Sequence, residues 1–133
     1  MKNFLLLCIF LFSTSSMAMI PKKTFKVSMD LVSNEKVISN PKMIIKEGRI
    51  ATAISGPKTK RTYFEILANQ KNPLNENEIL LELRVGYIND NGTKSVIAKP
   101  KLTATSGKET LLTIIDPNNN EDLTLRIFTE KNY

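Results

Sequence analysis

The chain has 133 residues, 41% hydrophobic and 24% charged, with a formal net charge of +6. That is an ordinary globular composition, which argues against wholesale disorder and for one domain. It has no His, no Trp and one Cys, which removes Ser-His-Asp triads, Cys-His dyads and His-ligated zinc together. No cofactor motif remains, and the reading is of a protein that is not an enzyme.

The first residues read as an export signal. Met1-Lys2-Asn3 is a short basic start, Phe4 to Phe12 is apolar, and Ser13 to Ala18 is small and polar, ending in Ser16-Met17-Ala18. This is the basic, apolar and small-x-small order of a cleaved secretory leader. The apolar run is too short to span a bilayer, which takes about 20 residues. Residues 1–18 are therefore expected to leave, giving a single domain over residues 19–133 that is periplasmic or secreted and has no transmembrane segment. Cys8 leaves with the leader, so no disulfide holds the rest together. Removal of Lys2 leaves 18 basic and 13 acidic residues, a balance that favours an anionic surface or an acidic partner.

From Phe25 onward alternation dominates. Phe25, Val27, Met29 and Leu31 sit two apart, and so do Phe64, Ile66 and Ala68. Leu74 up to Ile79 reads as loop, and from Ile79 onward Ile79, Leu81, Leu83, Val85 and Tyr87 alternate, as do Leu123, Leu125 and Ile127. Period-two spacing buries one face of a strand and wets the other. Turn chemistry falls between these runs, at Ser33-Asn34-Glu35, Gly56-Pro57, Asn72-Pro73, Asn89 to Gly92 and Asp116 to Asn120. Asn91-Gly92 is a hairpin signal, because both residues tolerate positive φ. The fold class expected is all-β, an antiparallel β-sandwich of seven to nine strands.

The chain also repeats. Val37-Ile38-Ser39-Asn40-Pro41-Lys42-Met43 matches Val96-Ile97-Ala98-Lys99-Pro100-Lys101-Leu102 at a spacing of 59, and Gly48 matches Gly107 at the same spacing. Phe25, Val27 and Met29 match Leu83, Val85 and Tyr87 at 58. Two duplicated units of about 59 residues, roughly 25–68 and 83–128, are expected to pack into one sandwich, because each alone has a thin apolar face. In each unit the proline removes a ladder donor, implying an edge or a bend.

The repeated segments from Val37 and Val96, with Tyr63 to Tyr87 between them, resemble β units of the secretin module. Secretins form the outer-membrane rings of type II and III secretion systems and type IV pili. The resemblance implies an envelope protein accessory to such an apparatus and carries no site residue with it.

Four groups of side chains invite a chemical reading. Ser33-Asn34-Glu35-Lys36 has the S-x-x-K spacing in which a lysine activates a serine, but that chemistry needs a helical first turn and this segment reads as a hairpin. Pro57-Lys58-Thr59-Lys60-Arg61 is a compact basic loop, with Lys71 expected near it, and Lys58, Lys60 and Arg61 are the candidate partner contacts. The loop has no interleaved aromatics for base stacking, so nucleic acid is not the expected partner. Glu76, Glu78 and Glu82 are the carboxylates on which an alternative reading, a hydrolase of an envelope polymer, would rest. Asp116, Asn118, Asn120 and Asp122 space oxygen atoms like a calcium loop but lack its glycine and its terminal Glu. The expectation is an exported binding protein whose partner, an envelope or secreted protein, meets exposed strand edges or the basic loop. Homo-oligomerisation fits the same edges.

Overall fold

A computed structural model of the chain describes residues 23–58 and 61–133. The expected leader, residues 1–18, lies outside them. Ten strands follow one another: β1 (Thr24–Ser33), β2 (Lys36–Ser39), β3 (Lys42–Lys46), β4 (Ile50–Ser55), β5 (Arg61–Asn72), β6 (Asn75–Ile88), β7 (Lys94–Ala98), β8 (Lys101–Thr105), β9 (Lys108–Asp116) and β10 (Glu121–Lys131). Among the described residues there is no helix, and hence none long and apolar enough to cross a membrane.

The strands form two antiparallel five-stranded sheets, so the all-β expectation holds. In the first sheet the order is β2, β1, β10, β9, with β3 pairing β1 beside β2; in the second it is β4, β5, β6, β7, with β8 pairing β6 beside β7. The count exceeds the seven to nine expected because each proline splits an edge strand. Asn40-Pro41 separates β2 from β3, and Lys99-Pro100 separates β7 from β8. Both pieces still pair the same long neighbour. The proline carbonyls tie the kinks down, accepting hydrogen bonds from Met29 N (3.0 Å) and Leu83 N (2.9 Å).

One apolar cluster fills the space between the sheets. Phe25, Val27, Met29 and Leu31 of β1 and Leu123, Leu125 and Ile127 of β10 meet Phe64, Ile66 and Ala68 of β5 and Ile79, Leu81, Leu83 and Val85 of β6. All are buried, and all are the alternating residues of the sequence. The chain changes sheet at Glu47-Gly48-Arg49 and again at Ser106-Gly107, where Gly48 and Gly107 take φ of 76° and 81°. Left-handed backbone of this kind costs an L-residue about 1–2 kcal/mol and glycine nearly nothing.

Two local expectations change. The loop expected before Ile79 is already strand, since β6 starts at Asn75 and carries the hairpin out beyond the core. Of Asn91 and Gly92 only Gly92 has positive φ, and its N–H donates to the Asn89 carbonyl (2.9 Å). That is a three-residue loop with a left-handed closing glycine. The two-residue turn with both φ positive is Asn34-Glu35, at 50° and 67°, between paired Ser33 and Lys36.

The ladder registers also shift the matching of the two halves. Ser28 stands opposite Lys42, and Glu82 opposite Lys101, so the place of β1 in its sheet is taken by β6 at a spacing of 54 rather than 58. The β6–β7 hairpin is correspondingly longer than the β1–β2 hairpin: five residues, Asn89 to Thr93, separate its strands against two, and Ile88 opposite Lys94 adds a further ladder pair.

Candidate functional site

The outer face of the second sheet presents three successive rows at the end nearest the β4–β5 loop. Arg61 opens β5 opposite Ile88, which stands opposite Lys94. The period-two geometry turns Arg61 and Lys94 to the same face, two strand spacings or about 10 Å apart. Lys58 precedes them, and Lys58, Arg61 and Lys94 are all exposed. Lys60 lies outside the described residues. Lys71 is not a neighbour: it stands near the opposite end of β5, roughly 33 Å away at the rise of an extended strand. Lys94 takes the place expected of it. No signal in the sequence links Lys94 to Arg61, because only the register across β6 brings them together.

The second row is Ile54, Tyr63, Gly86 and Val96, and the third is Thr52, Glu65 and Arg84. The Lys94 ammonium lies 4.6 Å from the Tyr63 ring centroid, a cation–π contact over a ring that is otherwise buried. The Tyr63 hydroxyl donates to Glu65. Burial first, and then the Glu65 hydrogen bond and charge, push its pKa up to about 12. Glu65 is the carboxylate of these rows, and it is occupied twice, by Tyr63 and by Arg84 at 3.9 Å. The positive charges of Lys58, Arg61 and Lys94 are thus left facing solvent, beside Ile54 and Val96, which are 52% and 38% exposed.

Further along the same face runs an open groove of about 560 Å³, lined among others by Ile50, Leu67, Glu82, Arg84, Lys99 and Lys101. Glu82 is the one expected carboxylate that reaches it. Glu78 stands opposite Thr105, about 13 Å along β6 from Glu82 at strand rise, and Glu76 pairs with Lys131 at 3.5 Å. These three carboxylates run along one strand rather than facing one another across a cleft.

The remaining candidates are placed as follows. Ser33 lies in β1 and donates to the Glu121 carboxylate, with Lys36 across the hairpin; there is no helical turn to return Lys36 to the hydroxyl. Asp116 is buried and its Oδ1 accepts from Asn118 N (2.9 Å). Asp122 stands opposite Ile115 and is exposed, so the loop turns Asp116 and Asp122 to opposite faces and the calcium-like spacing does not become a shell. Asp116 instead sits beside Tyr87, whose pKa is pushed up to about 12 by burial and then by the Asp116 and Glu121 charges. No family model, curated protein or solved structure matches the chain.

Proposed function

We propose that this is an exported, non-enzymatic sandwich protein that works by binding another envelope or secreted protein of acidic surface. The observation that carries the reading is that Arg61 and Lys94 share one row of one face, with exposed Lys58 in the loop leading into it and the nearby carboxylate Glu65 already engaged. Exposed charges beside exposed aliphatics form the mixed surface that a polar-rimmed interface uses. Export is supported by the basic, apolar and small-residue order of residues 1–18. The core also fills without any cysteine.

Duplication of a five-strand unit accounts for the layout of the two sheets. Its support is the recurrence of a register shift at Leu31/Val32 and at Val85/Gly86, of a proline-tied kink after each, and of a cross-strand ion pair, Arg126–Asp30 and Arg84–Glu65, both at 3.9 Å. The secretin likeness of the same segments favours a partner in a secretion or pilus apparatus.

The test is affinity capture from the protein's own envelope, with the quadruple variant Lys58→Gln, Lys60→Gln, Arg61→Gln, Lys94→Gln beside the wild type. Four ionic contacts at about 0.3–0.5 kcal/mol each amount to roughly a tenfold loss of affinity. Capture undiminished at equal melting temperature overturns the contact. N-terminal sequencing of the exported chain is expected to begin at Met19; a start at Met1 or Cys8 overturns cleavage after Ala18.

A further inference from the structure

We infer that β4 pairs antiparallel with β4 of a second copy of this chain, about a two-fold axis through Thr52. The inference rests on the reading that the protein acts through exposed surfaces of its sheets, and it names one occupant for one edge. Strand β4 ends the second sheet and pairs on one side only, with β5. Its sequence Ile50-Ala51-Thr52-Ala53-Ile54 reads the same in both directions. Antiparallel pairing about Thr52 therefore sets Ile50 opposite Ile54 of the second copy, Ala51 opposite Ala53, and Thr52 opposite itself, so every position meets a matched one. Aliphatic and Thr–Thr cross-strand pairs of this kind are favourable.

The two isoleucines that would meet are exposed large apolar side chains, at 65% for Ile50 and 52% for Ile54. Each stands beside an apolar neighbour on β5, Ile50 opposite Leu67 and Ile54 opposite Tyr63. Pairing extends these rows into Leu67, Ile50, Ile54 and Tyr63 across the two copies. No charged residue lies between Arg49 and Lys58, so no like charges meet along the paired length.

The other edges are less suited to this use. The β2/β3 edge is broken at Pro41 and carries Lys36, Lys42 and Lys46, and the β7/β8 edge is broken at Pro100 and carries Lys94 and Lys101. Lysines and proline kinks are how proteins blunt sheet edges. Strand β9 has a partial mirror about Thr113, but it begins with Lys108-Glu109 and would set Thr110 against buried Asp116. The area is modest. Six residues extend about 20 Å, and pairing them with Ile50 and Ile54 covers on the order of 1,000 Å² over both copies, near the low end for stable interfaces. A weak, concentration-dependent dimer is the result expected. At each end Arg49 of one copy approaches the Lys58 end of the other, so added salt strengthens the dimer by screening.

Sedimentation velocity of the purified protein over a range of concentrations reads this directly. The wild type is expected to move from monomer to dimer, more readily in high salt, while Thr52→Lys stays monomeric with the same melting temperature. In a Cys8→Ser background, Thr52→Cys is expected to cross-link to a dimer under mild oxidation, since residues opposite one another in such a pair lie within disulfide reach. Thr113→Cys is the control and is expected not to cross-link. A wild type that is monomeric at every concentration overturns the inference. So does a dimer indifferent to Thr52→Lys, or cross-linking by Thr113→Cys and not by Thr52→Cys. A monomer that still captures its partner through the basic end removes self-pairing and leaves the binding reading standing; a Thr52-dependent dimer that captures nothing does the reverse.

Discussion

Two side chains sit in places that cost stability, and both can be tested by single substitution. Glu35 holds φ of 67° with no glycine to ease the tight β1–β2 turn. Left-handed backbone costs such a residue about 1–2 kcal/mol, partly offset in a glycine variant by the greater entropy of its unfolded chain. Glu35→Gly is therefore expected to gain about 0.5–1 kcal/mol, read as a higher urea midpoint at unchanged slope; a loss would mean that the Glu35 side chain is making a contact that matters. Thr129 is fully buried and its hydroxyl has no hydrogen-bond partner among the described residues. An unsatisfied buried hydroxyl costs about 1–3 kcal/mol, and valine keeps the branched shape. Thr129→Val is expected to stabilise by roughly 1 kcal/mol, checked by the same titration.

At the scale of the element, the edge strands depend on how closely the backbone of one passes the next. Gly86 lies at the register shift between β6 and β7, where an added Cβ would stand 2.1 Å from the Ser95 carbonyl oxygen. No side chain can yield there, so Gly86→Ala must push β7 off its ladder. A loss of more than about 2 kcal/mol is expected, with faster amide exchange confined to β7 and the β6 positions facing it. Gly107→Ala is the comparison: its Cβ meets nothing within 4 Å but its φ is 81°, so only the left-handed cost of about 1 kcal/mol applies. Equal losses in the two variants would contradict the close-approach account. The proline kinks belong to this scale too. Each lets one edge be built from two short pieces studded with lysine, leaving β4 as the uncharged edge.

For the whole molecule, pH dependence is set by tyrosines in the alkaline range. Tyr87, beside Asp116, and Tyr63, beside Glu65, both titrate near 12 in the folded protein against an ordinary value of 10.0. Between those values the unfolded chain has lost protons that the folded one keeps, so stability falls as pH rises through that window and is intact below it. Thermal melts from pH 9 to about 12 are expected to show this decline, and Tyr87→Phe is expected to flatten it. A decline unchanged in the Tyr87→Phe variant would place its origin elsewhere.

The sequence by itself determined the fold class and the core. The alternating apolar residues of β1, β5, β6 and β10 are the buried ones, because period two is a property of extended chain wherever it lies. It likewise marked Pro41 and Pro100 as breaks, since each acts through its own backbone. Which strands pair, and at what offset, was decided only by the tertiary structure. The length of the β6–β7 hairpin, the exchange of Lys71 for Lys94 beside Arg61, the separation of Asp116 from Asp122 and the exposure of β4 on one side all follow from register between segments distant in the chain. Register is settled by which set of cross-strand contacts and buried faces is jointly lowest in free energy, and no local pattern contains that choice.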